Sequence, residues 1–300
     1  MSRLKKIITR LPYLKRLYNE IEIYKKGFPP GHYYSPIISE LEVNAHSDKI
    51  FSKSQTLAGI DLNKEEQLKL LTTLQKYYPE LPYKEFRNPE LRYFFNNNTF
   101  EYSDAIFLNA MMRHFSPKKI IEIGSGFSSA VMLDTNKLFF KPSIDLTFIE
   151  PYPERLKSLL HKDDVAQFTL IENNLQDVPP ELFANLKASD ILFVDSTHVS
   201  KTGSDVNMIL FEILPQLQKG VIIHFHDIFF PFEYPKEWVL GWSGFGWNEI
   251  YLLRAFLMNN KEYKIILFNT YLEEIEEDWF RENMPLCLKD KGGSLWIQKI

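Results

Sequence analysis

Lys119-Ile-Ile-Glu-Ile-Gly-Ser-Gly-Phe-Ser-Ser129 is a short apolar run that meets two glycines and then opens onto helix-forming residues. Gly124 and Gly126 lack a Cβ, so the loop can take positive φ and admit a ligand close to the peptide groups. A helix capped by Ser128 or Ser129 would present unpaired N–H groups to the same crevice. From Lys119 onward, short runs rich in Ile, Val and Phe alternate with helical stretches, and strands are expected at 119–123, 146–150, 167–171, 190–194 and 220–226. This alternation predicts an α/β fold, a doubly wound and mostly parallel sheet with ligands at the carboxyl ends of its strands. Two more runs, 263–269 and 293–300, flank an acidic helix at Glu273–Glu282. They bring the sheet to seven strands, the last expected to pair antiparallel at the edge.

Working back toward the start, residues 1–100 read as an α-helical N-terminal extension with a lid, and 101–300 as the main domain. Residues 1–26 hold eight basic residues (Arg3, Lys5, Lys6, Arg10, Lys15, Arg16, Lys25, Lys26) against Glu20 and Glu22, a net +6. Leu4, Ile7, Ile8, Leu11, Leu14, Leu17 and Ile21 recur at helical spacing, which predicts an amphipathic basic helix bent at Pro12. Such a helix docks on its own domain, on a second subunit or on an anionic membrane surface. Gly27-Phe-Pro-Pro-Gly-His-Tyr-Tyr-Ser-Pro36 is no helix and reads as an ordered aromatic loop, a lid or a linker. Asn63 and Glu66 form a capping-box pattern ahead of Leu68, Leu71, Leu74 and Tyr78, in a helix expected to end before Pro79. A further helix is expected over 103–115, stopped by Ser116-Pro117.

Composition narrows the function classes. A net charge of −4 gives no global attraction to nucleic acid, and no nucleic-acid partner is expected. Cys287 is the sole cysteine, which excludes an internal disulfide and any cysteine metal cluster and fits a reducing cytoplasm. No run is apolar for the length of a membrane span, and the start lacks the apolar core of a secretion signal, so a soluble protein is expected.

The glycine loop has no Lys-Ser or Lys-Thr to meet a nucleoside triphosphate, and Ser129 stands where a dinucleotide fingerprint has its third glycine. Glu122 would repel a pyrophosphate, yet it suits the cationic amino end of S-adenosylmethionine. One βαβ unit later Glu150 ends the second strand, where an acid accepts hydrogen bonds from both ribose hydroxyls of a nucleoside. Asn174 and Gln176, after the third strand, are placed for an adenine edge, although turn chemistry would also explain polar residues there. The fourth and fifth strands end in Phe193-Val-Asp-Ser-Thr-His198 and His224-Phe-His-Asp227. Neighbouring strands lie about 5 Å apart, so Asp195 and Asp227 are expected to converge. With His226 they make an oxygen-rich, incomplete shell suited to a hard divalent ion, and His198 is placed to take a hydroxyl proton. Phe229-Phe-Pro-Phe-Glu-Tyr-Pro235 and Trp242-Ser-Gly-Phe-Gly-Trp247 form an aromatic loop expected to wall an acceptor pocket.

Over roughly residues 101–300 the chain resembles class I S-adenosylmethionine-dependent methyltransferases. Ile121-Glu-Ile-Gly-Ser-Gly126 resembles their first motif, Glu150 their ribose acid, Asn174-Leu-Gln176 their adenine segment and Asp195 their fourth-strand acid. The resemblance implies a Rossmann-like sheet ending in an antiparallel hairpin, and cofactor contacts from Glu122, Gly124, Ser125, Gly126, Ser128, Ser129, Glu150, Asn174, Gln176 and Asp195. Asp-x-x-His at Asp195 and His198, with a polar pair before an aromatic loop, is similar to macrocin-type sugar O-methyltransferases and to cell-surface glycan methyltransferases. There the strand-four Asp and two acids after strand five bind magnesium, and a His placed like His198 is the base. Carried over, this implies Mg2+ or another divalent cation on Asp195, His226 and Asp227, with His226 standing where the first of the two acids would be, and a saccharide acceptor. Two other readings remain open. The glycine loop and Glu150 alone permit a nicotinamide-dependent dehydrogenase, and the basic helix permits a non-catalytic cofactor-binding scaffold in a glycan-assembly complex.

Overall fold

A computed structural model describes residues 12–24, 27–53, 57–241 and 246–300. The expected helix upstream of Pro12 and residues 242–245 of the aromatic loop lie outside the described residues. The chain falls into two compact units, one running to Ser52 and taking in Pro235–Gly246, the other comprising Lys53–Tyr234 and Trp247–Ile300.

In the first unit, helix α1 (Pro12–Tyr24) is followed by a turn-rich loop and the short helices Glu40–Ala45 and Ser47–Ile50. Ser39 caps the first of these, its hydroxyl accepting from Glu42 N. The loop is no helix, and its rings pack on one another, Phe28 on His32 at 4.4 Å and on Tyr34 at 5.0 Å.

The second unit is built on a seven-stranded sheet. Its strands are β1 (Lys119–Ile123), β2 (Asp145–Ile149), β3 (Thr169–Ile171), β4 (Ile191–Val194), β5 (Ile222–Phe225), β6 (Tyr263–Phe268) and β7 (Leu295–Lys299), in the order β3-β2-β1-β4-β5-β7-β6. The first five are parallel, and β7 pairs antiparallel with both β5 and β6. β7 therefore inserts between β5 and β6 instead of lying at the edge as expected. Burial explains this placement, since Leu295, Trp296 and Ile297 are fully enclosed, as an inner strand requires.

Helix α2 (Lys64–Leu74) docks on β6, where Gln67 accepts from Phe268 N at 2.7 Å. The expected capping box does not form. Asn63 takes a left-handed φ of 53° and donates to Ile265 O, so tertiary contact wins over local capping. Beyond Leu74 the chain tightens into a 3-10 turn, Gln75–Glu80, that carries Pro79 within it. Helix α3 (Tyr102–Phe115) stops at Ser116 as expected, and packs on α4 (Phe127–Phe139), the helix that follows the glycine loop. The acidic helix is two, Asn269–Ile275 and Glu277–Asn283, interrupted at Glu276.

One buried ion cluster ties the segment before α3 to this core. The Arg92 guanidinium meets Asp134 of α4 at 2.5 Å and chelates Asp164, and all three side chains are enclosed. Arg92 N and Tyr93 N both donate to Asp134 Oδ2 at 2.9 Å, so the carboxylates are fully used.

Candidate active site at the carboxyl edge of the sheet

Strand register sets the frame of the site. Ile149 pairs with Ile123, Ile123 with Val194, and Val194 with Phe225. The ladder runs one residue further, with Gly124 N donating to Ile149 O, Asp195 N to Ile123 O and His226 N to Val194 O. Glu150, Gly124, Asp195 and His226 thus form one row at the carboxyl ends of four adjacent strands. Only a glycine fits the second position. Gly124 has φ +82°, and a Cβ there would lie 2.2 Å from Asp195 O.

Next to this row lies a cleft of about 290 Å³ lined by Gly124, Glu150, Asn174, Gln176 and Asp195, with Tyr152, Thr197 and Asp205. Five of the residues expected to touch the cofactor therefore share one cavity. None of its lining residues is basic, whereas Glu150, Asp195 and Asp205 are acidic. The Glu150 carboxylate is aimed by backbone, accepting from Ser125 N at 3.1 Å and Tyr152 N at 2.8 Å. Ser125 Oγ is buried with no hydrogen-bond partner among the described residues, a hydroxyl that a ligand in the crevice would satisfy. Gln176 already donates to Gly203 O at 2.8 Å, and Asn174 is exposed beside Asp177.

Glu122, Ser128 and Ser129 are placed otherwise. Glu122 is fully buried below the loop, where the Ser128 and Ser129 hydroxyls donate to its two oxygens, and none of the three lines the cleft. Burial pushes the Glu122 carboxyl up to about 8, so at neutral pH it is largely protonated and ties β1 to α4. Gly126, whose N–H donates to Ser129 Oγ, opens α4 with extended backbone.

On the other side of Asp195 the side chains gather differently from the expected set. Asp195, His198 and Asp227 each offer a ligand atom within 4.8 Å of the others. His198 Nε2 stands 3.5 Å from Asp195 Oδ1 and 3.4 Å from Asp227 Oδ2. His226, although it shares Asp195's row, is buried and among the described residues pairs with Asp227 alone, its Nε2 3.6 Å from Oδ1, while its Nδ1 has no hydrogen-bond partner among them. The reason is backbone. Asp227 has φ +56° and His198 φ +57°, left-handed conformations that turn both side chains out of ladder alternation.

The sequence reading missed Glu249, at the start of α5 (Glu249–Leu257). Its buried carboxylate lies 2.8 Å from His198 Nδ1 and also accepts from Ser196 Oγ at 2.8 Å. The Asn248 and Glu249 amides donate to His198 O at 2.9 and 3.1 Å, so α5 grips both ends of the histidine. No spacing rule links residues so far apart in the chain; the sole local trace is an acid in a helical first turn. Burial would lower the His198 pKa, but hydrogen bonds to Asp195 and Glu249 and the Asp227 charge hold it well above the ordinary value. Asp195 is kept low, because His226 and His198 outweigh its desolvation, while burial raises Asp227. The Trp247 ring lies 4.4 Å from His198, and Tyr234 stands edge-on to Trp247 at 5.9 Å.

The chain can be set beside known proteins. A family model described as a methyltransferase domain matches residues 121–228. An uncharacterized protein of Archaeoglobus fulgidus is 41% identical over 176 residues, which span 55% of this chain and 76% of that protein. Among solved structures, the methyltransferase PaMTH1 of Podospora anserina, bound to SAH, is 17% identical with a TM-score of 0.43, over 86% of this chain and 94% of that one. The O-methyltransferase TomG of Streptomyces achromogenes, involved in tomaymycin synthesis and in complex with SAM, is 15% identical with a TM-score of 0.40, over 86% and 96%.

Proposed function

We propose that this chain, which belongs to one family with the archaeal protein and is an S-adenosylmethionine-dependent methyltransferase, transfers the methyl group to a hydroxyl oxygen of a saccharide or similar small molecule. The observation that carries this reading is the acidic lining of the cleft beside Gly124. A pyrophosphate there would face Glu150, Asp195 and Asp205 with no cation among the lining residues, which speaks against a nicotinamide dinucleotide. A ribose diol and a sulfonium suit the same lining. In this reading Glu150 accepts from the ribose hydroxyls, Asn174 and Gln176 meet the base, and the Gly124–Gly126 backbone lies along the amino-acid end.

S-adenosylmethionine supplies an electrophilic methyl group, so the protein's share is chiefly alignment and removal of one proton. His198 Nε2, held by Glu249 through Nδ1, takes the acceptor's proton once the imidazolium that the surrounding carboxylates favour has given up its own. Asp195 sits between the cofactor cleft and the histidine and orients both. Asp195 and Asp227, with His226 beside the latter, have the carboxylate chemistry to hold a divalent ion. Such an ion would neutralise the two carboxylates, draw in the acceptor oxygen and ease release of the imidazole proton. The Trp247 ring beside His198 suits the C–H face of a sugar.

Calorimetry with S-adenosylhomocysteine, with and without magnesium, followed by mass analysis of saccharide acceptors, tests the reading. Binding of the nucleoside and a gain of one methyl group per acceptor are expected. Binding of NAD in place of S-adenosylhomocysteine would overturn the cofactor, and turnover indifferent to a chelator would remove the ion.

A further inference from the structure

We infer that Asp104, in the first turn of α3, is a positioning residue for Asp227 and acts through the turn Gly292–Ser294 that leads into β7. Its kinetic consequence, though not its geometry, rests on the methyl-transfer reading. Because β7 lies beside β5, with Leu295 paired to Phe225, the residues just before β7 arrive at the tip of β5. Gly293 O accepts from Ile228 N at 2.9 Å, and a Cβ on Gly293 would stand 3.1 Å from Asp227 Cα. The turn therefore backs the left-handed residue whose carboxylate faces His198.

Asp104 holds that turn from below. Its buried carboxylate accepts on Oδ1 from Gly293 N at 3.1 Å and from Ser294 Oγ at 2.5 Å. Ser294 Oγ, its proton directed to Asp104, accepts in turn from His224 Nε2 at 2.9 Å, and burial keeps that imidazole neutral. Gly292 has φ +61°, and a Cβ there would fall 2.5 Å from Asp104 Oδ1, so glycine lets the chain wrap the carboxylate. Enclosing a carboxylate is costly, and Asp104 does not line the cofactor cleft. Both of its acceptor bonds go to the one turn that backs Asp227, which is how an outer group orients an inner one.

Asp104→Ala tests this, with Asp104→Asn as the conservative variant, since an amide oxygen in place of Oδ1 keeps both acceptor bonds. In Asp104→Ala the Ile228 amide should undergo hydrogen exchange at least about tenfold faster, while the Ile222 amide, bonded to Asp190 O at 2.9 Å, keeps its rate. The same variant should lower kcat by about 10- to 100-fold with KM for S-adenosylmethionine unchanged, and Asp104→Asn should restore most of the rate. Adding Asp104→Ala to Asp227→Asn should cost no more than about a further twofold in kcat, because both act at one carboxylate. Gly293→Ala, which presses on Asp227 with Asp104 intact, should give the same split between kcat and KM and stands in where Asp104→Ala does not fold. Exchange needs no turnover, so a chain without methyl transfer would sink the functional reading and leave the Ile228 amide to decide this one. Unchanged exchange at Ile228, equal acceleration at Ile222, or losses that multiply in the double variant would overturn the inference.

Discussion

On the side of the crevice formed by β1, β2 and β3, Gly124 and Glu150 extend the parallel ladder by one residue, and each group is placed by its own strand. On the side formed by β4 and β5, His198 and Asp227 leave the ladder with positive φ, and α5, some fifty residues downstream of His198, holds the histidine in place. The first side is a backbone surface for recognising a ligand. The second is a cluster of charged side chains whose geometry is imposed by tertiary contact, which is where chemistry needs fixed donors and acceptors. The comparison teaches that binding and turnover should be separable by mutation.

The sharpest way to break it is His198→Ala. Turnover should fall on the order of 10³-fold while affinity for S-adenosylhomocysteine changes less than about twofold, as read by initial rates and calorimetry. Equal losses in both would mean that the two sides are one. Next, Glu249→Gln leaves the fold and removes the charge behind Nδ1. It should lower kcat by about 10- to 100-fold with KM for the cofactor unchanged. An unaltered kcat would show that α5 merely packs there.

From the other side, Glu150→Ala should weaken S-adenosylhomocysteine by about tenfold to a hundredfold and leave kcat at saturating cofactor nearly intact. The last expected effect falls on stability and not on binding or turnover, and concerns Glu122, whose carboxyl titrates near 8 when folded and in the ordinary carboxylate range when unfolded. Its contribution to stability is complete at low pH and is lost as the pH rises from about 4.5 to about 8, at up to about 1.4 kcal/mol per unit. Denaturant unfolding across that window should show the decline, and Glu122→Gln should flatten it.

The same contrast explains what the sequence disclosed. The strands, the glycine loop and Glu150 depend on neighbours within a few residues or on a sheet register that repeats, so periodicity and spacing reveal them. β7's place between β5 and β6 is a matter of long-range pairing with both strands, and no local pattern carries that. Asn63 was misread because a sequence pattern does not tell whether its amide caps a helix or meets a strand 202 residues away. His226 was expected as a ligand because it stands at the tip of the fifth strand where the first of two acids would be; it lies near Asp227, but it is His198 that comes within reach of both Asp195 and Asp227.

The Arg92 cluster has a practical corollary for anyone dissecting the chain. A fragment cut to begin at residue 101 would keep every motif of the crevice but strand Asp134 and Asp164 without their guanidinium. Removing one partner from an enclosed ion pair costs about 3–5 kcal/mol, a large part of the whole stability of a typical domain. The minimal self-folding piece therefore starts upstream of Arg92, earlier than the motifs alone suggest.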